Sequence, residues 1–363
     1  MEEKFSGSVH QMLQGMYVTD AVTNDAFEIQ KVLKSFGYKS EIFANLDYVC
    51  SECKSKVYDY KKYKDYSSSN NILIYHYATY SVVTGFVLDL PDKIILRYHN
   101  VTPYSYFELF DSKLKAEMKR GKDDVLRLRE KVVLTMAVSE FNGLDLKVLG
   151  FGKILVLPII IDFEKFNKKY SKEVWSKFQD SHINVIFVGR IAPNKKYEDL
   201  LKIFYYFNEI NSHSRLILVG SYDFSIEYYH YLKNIIRFLD LSNVIFTGTV
   251  TLPELISYYR VSDLFLCMSE HEGFCIPIIE AMYFGIPIIA YNSTGIPYTL
   301  KGLGVLINKK KFQETAELMD IVFKDESIRE RIVKGQNERL KDFKRENMAS
   351  LLLEYIETVK KML

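Results

Sequence analysis

The chain has 363 residues, longer than a single hydrophobic core usually grows, so two domains are expected. Hydrophobic residues make up 48% and charged residues 26%, the balance of an ordinary globular protein. A net charge of +2 gives no general case for a nucleic-acid partner, and no window approaches the roughly 18 to 20 apolar residues of a membrane span.

The opening "MEEKFSGSVHQ" has no apolar signal segment, so a cytoplasmic location is expected. Apolar runs then alternate with amphipathic stretches. Strands are expected at "SVHQML" (8–13), "SEIFA" (40–44), "NILIYHY" (71–77), "KIILRYH" (93–99), "VVLTMAV" (132–138) and "KILVLPI" (153–159). Between the first two, "NDAFEIQKVLKSFG" places Ala26, Ile29, Val32 and Leu33 on one helical face, with Gly37 as the stop. Polarity rises and the rhythm pauses over residues 162 to 181. It resumes with strands at "INVIFVG" (183–189), "RLILVG" (215–220), "VIFTG" (244–248), "DLFLCMS" (263–269) and "IPIIAY" (286–291). Helices are expected at 195–210, 225–240, 252–261 and 276–285. The runs are apolar throughout, as in strands covered on both faces. Strands separated by helices predict α/β architecture with two doubly wound parallel sheets. The expected division is residues 1–165, residues 166–344, and a last helix, 345–363, bracing the first domain.

Four cysteines do not make a disulfide framework in a chain this long. Cys50 and Cys53 form half of a metal-binding pattern with no second pair. Cys267 and Cys275 sit among apolar neighbours and read as packing residues.

The candidate site begins with "FVGRIAPNKKYEDLL", where a buried strand ends at Gly189 and Arg190 and Lys195 follow before a helix. Ligands of open parallel sheets bind at the carboxyl ends of strands. Two cations there suit a diphosphate, although a solvated basic loop has the same composition. In "SEHEGFCIPIIEAMYFG", Pro277 falls in the first turn of a helix whose free N–H groups would meet an anion. Ile278, Ala281, Met282 and Gly285 share one face and Glu280 lies roughly opposite, with Glu272 on the approach loop. Carboxylates so placed accept hydrogen bonds from diols such as those of a ribose and a hexose. The plainer alternative is a helix N-terminal acid and an exposed helix acid.

In order, "GRIAPNKKYEDLL", "LILVGS", "VIFTGTV" and "DLFLCMSEHEGFCIPIIEAMYFGIPIIAYNSTGIP" resemble the donor half of a family 4 glycosyltransferase, a bacterial and archaeal group-1 type with the GT-B fold. Glu272 and Glu280 supply its E-x7-E. "DAVTND", "YHNVTP" and "AVSEFN" extend the resemblance into the first half. The resemblance implies a retaining, metal-independent transfer of a hexose from a nucleotide-diphosphate sugar, with no cofactor. The acceptor it implies is a glycan or lipid-linked glycan. Arg190 and Lys195 would hold the diphosphate. Glu272, Gly273, Phe274, Cys275 and Ile276 would meet the sugar and phosphate, with Gly189 at the strand end, and Glu280 would take the ribose. His99, at the end of a strand, matches the histidine that members place beside the reacting centre. There it would donate to a sugar hydroxyl or carry a proton. His76, Asp20, Asn24 and Asn100 would line the first domain's side.

The chain departs from the pattern in four places. Thr19 and Thr23 flank the first strand–helix loop where members often carry glycines. Lys196 also stands at a common glycine, Thr294 replaces the first of two glycines, and Tyr298 replaces a glutamate. The basic, tyrosine-rich stretches 54–66 and 113–131 would suit peripheral contact with an anionic membrane, or a plain solvated face. Two rival readings use the same fold: a nucleotide-sugar epimerase, and a non-catalytic scaffold that binds sugar nucleotides.

Overall fold

The computed structural model describes residues 7–18 and 20–362, so Thr19 lies outside the described residues. The chain forms two compact units. One comprises Met1–Tyr104, Lys113–Asp162 and Phe343–Leu363, the other Ser105–Ser112 and Phe163–Asp342.

The first unit is a parallel sheet of β1 (Val9–Leu13), β2 (Ile42–Ala44), β3 (Tyr58–Asp59), β4 (Ile72–Tyr77), β5 (Lys93–Tyr98), β6 (Val132–Ala137) and β7 (Ile154–Val156), in the order β3-β2-β1-β4-β5-β6-β7. Every residue of β4 is buried, as an apolar run between two helical layers requires. One face packs on the helix Ala21–Ser35 through Ile29, Val32 and Leu33. The same face meets the final helix, Arg345–Lys360, through Met348, Leu352, Tyr355, Ile356 and Val359. Tyr355 also donates from its hydroxyl to the Val156 carbonyl at 3.0 Å, fixing that helix along the sheet.

The second unit is a parallel sheet of β8 (Ile183–Val188), β9 (Ser214–Val219), β10 (Val244–Gly248), β11 (Leu264–Cys267), β12 (Ile288–Tyr291) and β13 (Val305–Ile307), ordered β10-β9-β8-β11-β12-β13. Both sheets are doubly wound. Strand order reverses between β1 and β4 in the first and between β8 and β11 in the second, and the crevices at those reversals are where such sheets take ligands.

The sequence pattern missed β3 and β13, which at 2 and 3 residues carry too little periodicity to register. The helix expected to begin at Lys195 starts at Tyr197. Residues Pro193–Lys195 form a tight turn, and Lys196 adopts a left-handed backbone with φ of 54° that a helix cannot contain. The aromatic segment Ser105–Ser112, expected in the first domain, belongs to the second unit. Phe107, 1% exposed, packs there edge-on to Phe224, and Phe110 packs on Tyr228. Among the described residues no helix is long and apolar enough to cross a membrane.

Candidate functional site

In the second unit, the loop after β8 and the loop after β11 lie on either side of the strand-order reversal. Asn194, itself buried, binds them together. Its side-chain amide donates to the His271 carbonyl at 3.0 Å, and its backbone carbonyl accepts from Glu270 N at 2.9 Å. This clamp brings Lys195 Nζ within 2.6 Å of Glu272 Oε2. The Glu272 side chain is 8% exposed and that of Lys195 21%, so Lys195 is not part of a solvated basic loop. A carboxylate this enclosed requires such a partner.

The backbone around Glu272 is fixed from the loop after β12. Glu272 N donates to Thr294 Oγ1 at 2.9 Å, and Gly295 N donates to the Glu272 carbonyl at 3.0 Å. A Cβ on Gly295 would lie 2.5 Å from the Gly273 carbonyl oxygen, so only glycine permits this approach. The Phe274 carbonyl accepts from the Thr299 hydroxyl, and Cys275 turns the chain through φ of 69° into the helix that Ile276 begins.

Glu280 is also buried, which excludes the plainer alternative of an exposed helix acid. No residue from Ile276 to Gly285 is exposed, and the apolar face has no solvated opposite. The Tyr259 hydroxyl donates to Glu280 Oε2 at 2.8 Å, and Lys165 Nζ stands 3.6 Å from Oε1. Burial, with the adjacent carboxylate, holds the Tyr259 phenol well above its ordinary range, so it stays a donor. Arg190, just past Gly189, is exposed, and its guanidinium lies 4.6 Å over the Phe224 ring. The structure thus brings Lys195 and Glu272 into contact, while Glu280 is held separately by Tyr259 and Lys165.

A charge network beside this site was not read from the sequence. Lys310 Nζ bridges Asp199 Oδ2 at 2.7 Å and Glu270 Oε1 at 2.8 Å, and Lys196 Nζ lies 3.4 Å from both Glu198 and Glu270. The "KKYED" run carried the only signal, opposite charges at the start of one helix.

The first-unit candidates lie mostly at the carboxyl edge of their sheet. His99 follows β5 and His76 sits in β4; His76 Nδ1 and His99 Nε2 are 3.1 Å apart, with the rings stacked. His76 Nε2 lies 2.9 Å from Gln11 Oε1, and His99 Nε2 lies 3.7 Å from Asp25 Oδ2. Burial pushes both imidazoles well below the usual histidine range, and the Arg97 charge adds to this, so both are neutral. Arg97 is wholly buried and donates to Asp25 Oδ2 at 2.8 Å. Asp20 caps the helix Ala21–Ser35, accepting from Val22 N and Thr23 N. Thr23 is buried and its hydroxyl accepts from Tyr17 N, so it serves the loop's own fold. Asn24 is half-buried in the first turn. Asn100, at φ of 81°, donates to Asn142 Oδ1 at 3.0 Å and ties the end of β5 to the helix Glu140–Val148 that follows β6.

Among the described residues two groups have metal-ligand spacing, Asp25 with His76 and His99, and Cys267 with Glu272 and Cys275, each within 4.8 Å. In both, the carboxylate already carries a cation, Arg97 or Lys195, which opposes a second one. In the basic stretch 54–66, Tyr63 is fully buried, while Tyr58 and Tyr66 touch Phe43 but stay 42% and 39% exposed.

Residues 171–339, just under half of the chain, match the family model described as glycosyl transferases group 1. The capsular polysaccharide biosynthesis glycosyltransferase CapM of Staphylococcus aureus is 29% identical over 271 residues, 71% of this chain and 67% of that protein. Among solved structures, a sucrose-phosphate synthase from Thermosynechococcus elongatus has a TM-score of 0.74 at 15% identity, covering 98% of this chain and 100% of that one. HepE of Anabaena, solved with UDP-glucose, has a TM-score of 0.72 at 15% identity, over 96% of this chain and 99% of that one. The two structural likenesses carry the fold and nothing finer.

Proposed function

We propose that this chain, a glycosyltransferase of GT-B fold whose residues 171–339 form a group 1 module, moves a hexose from a nucleotide-diphosphate sugar to a hydroxyl of a glycan or lipid-linked glycan, with retention of configuration, in polysaccharide assembly. The observation that carries this reading is the pair of buried carboxylates, Glu272 on Lys195 and Glu280 on Tyr259, beside the reversal in strand order. CapM is named for capsular polysaccharide biosynthesis and HepE was solved with UDP-glucose, which supports the substrate class.

In this reading Arg190 and Lys195 meet the diphosphate. Lys195 leaves Glu272 for phosphate, and the freed carboxylate accepts from hydroxyls of the sugar. Glu280 accepts from the ribose, and backbone N–H groups of the turn through Gly273, Phe274, Cys275 and Ile276 face phosphate. The bond from the anomeric carbon to the phosphate oxygen breaks while the acceptor oxygen bonds to that carbon on the same face. The acceptor's proton passes to the departing phosphate oxygen. Fixed cations at the leaving group are most effective because negative charge develops there. Contact with a membrane through the lysines of 54–66 would deliver a lipid-linked acceptor.

Thermal-shift titration with UDP, GDP, ADP and their sugar conjugates tests the proposal. One nucleotide should raise the melting temperature, and Arg190→Ala and Glu280→Gln should remove that rise. At 100 times Kd the stabilisation amounts to about 2.7 kcal/mol. No rise with any of them at millimolar ligand would overturn the donor site.

A further inference from the structure

Within the first unit a run of four polar groups ends on an unsatisfied atom. The Gln11 amide nitrogen donates to the Ala26 carbonyl at 3.0 Å, which fixes the orientation of the amide because that carbonyl can only accept. Gln11 Oε1 is therefore turned toward His76 and accepts from His76 Nε2 at 2.9 Å. Neutral His76 then carries its proton on Nε2, so its Nδ1 is a bare acceptor. The group facing that acceptor at 3.1 Å, His99 Nε2, must carry the second proton. Asp25 Oδ2, 3.7 Å from the same nitrogen, favours the same placement. His99 Nδ1 is left as a lone pair, buried and with no hydrogen-bond partner, on a side chain 4% exposed. A buried acceptor in this state is costly unless a ligand satisfies it.

The geometry points to His99 meeting its ligand as a hydrogen-bond acceptor through Nδ1, with Gln11 and His76 as positioning residues that set its tautomer. The ligand group it faces is therefore a donor. That this donor is a sugar hydroxyl rests on the transfer reading above. The expectation that His99 donates to a hydroxyl is reversed: the hydroxyl donates to it. The residues responsible come from three neighbouring strands, Gln11 in β1, His76 in β4 and His99 at the end of β5. All point to one face of the sheet, where the start of the helix Ala21–Ser35 covers them.

Isotope labelling of the histidine nitrogens in the full chain, read by long-range proton–nitrogen correlation, tests this directly. His99→Gln identifies the His99 signals. In the free protein both His76 and His99 should be protonated on Nε2 and bare on Nδ1. A protonated His99 Nδ1 would overturn the inference. Gln11→Met removes the acceptor for His76, and both rings should then show mixed tautomers, since Asp25 alone still holds His99. Gln11→Glu should restore the single tautomer, because a neutral carboxylic acid donates to Ala26 and accepts from His76 as the amide does. Unchanged tautomers in Gln11→Met would remove Gln11 from the relay. Should that variant fail to fold, the wild-type spectrum still decides the polarity. With the nucleotide sugar that stabilises the chain, kcat should fall about ten-fold in Gln11→Met and recover in Gln11→Glu, with KM for the donor nearly unchanged. The tautomer is read without ligand, so the expected spectrum in a chain that binds no nucleotide sugar would remove the transfer reading and leave the relay. The opposite tautomer in an active enzyme would remove the relay alone.

Discussion

Thr294 holds a backbone with φ of 45°, a left-handed conformation that costs a non-glycine residue about 1 to 2 kcal/mol. Its hydroxyl offsets that strain by accepting from Glu272 N, in a place where glycine has nothing to offer. Thr294→Ala keeps the strain and leaves a half-buried N–H without its acceptor, so it should lower stability by about 1 to 3 kcal/mol. Thr294→Gly loses the same hydrogen bond but relieves the strain, and should cost less. Urea unfolding of the two variants checks the order, and equal costs would show that strain is not stored there. The same contact explains what was legible at this scale. Glu272 and Lys195 were readable because both lie in ordered motifs beside strand ends. The partners of Glu280 were not, since Tyr259 and Lys165 come from other elements 21 and 115 positions away, and no local pattern links them. Lys196 departs from the common glycine in the same way as Thr294, and its left-handed backbone is visible only in the fold.

The strands themselves were the most legible elements, because β4, β5, β8 and β9 are apolar runs whose length and β-branching suit burial on both faces. Their polar members were not legible. In β1, adjacent His10 and Gln11 point to opposite faces of the sheet, yet both are buried. Gln11 serves the histidine relay, and His10 accepts from Glu41 N at 3.1 Å through Nδ1 within a ring of Phe43, Tyr63 and Tyr66. Burial lowers the His10 pKa from 6.5 to about 4. The unfolded chain binds its proton near pH 6.5 and the folded chain does not until near pH 4, so acidification favours unfolding. This contribution to stability is full above pH 6.5 and falls as pH drops toward 4, by about 1.4 kcal/mol per pH unit. His76 and His99, also held well below their usual range by burial, act in the same direction. His10→Asn keeps an acceptor near Glu41 N but cannot titrate, so its stability should fall less steeply between pH 6.5 and 5. Urea midpoints across that range measure the slope, and parallel curves for the two proteins would refute the assignment.

For the whole molecule, the chain's end belongs to its beginning. The helix Arg345–Lys360 comes after the second unit in sequence, yet it completes the core of the first, closing over Val9, Ile29, Val32 and Leu33. It buries Met348, Leu352, Tyr355, Ile356 and Val359. At about 1.5 to 3 kcal/mol for each large side chain, their removal is comparable with the roughly 5 to 15 kcal/mol that holds a domain folded, even after the reduction a compact unfolded state requires. Truncation after Asp342 should therefore unfold the first unit. The second unit keeps its own core from Phe163 to Asp342, so its strands should stay protected. Hydrogen exchange resolves the two outcomes by peptide: amides of β1, β4 and β5 should lose protection, while those of β8, β9 and β11 keep it. In the same truncated chain, the nucleotide that stabilises the full protein should still bind, since Arg190, Lys195, Glu272 and Glu280 all lie in the second unit. Transfer should cease, because His99 and its relay lie in the first. Retained protection of β1, β4 and β5 would show that the last helix only rests on the sheet. Loss of nucleotide binding with β8 and β11 still protected would mean that the donor site needs residues of the first unit.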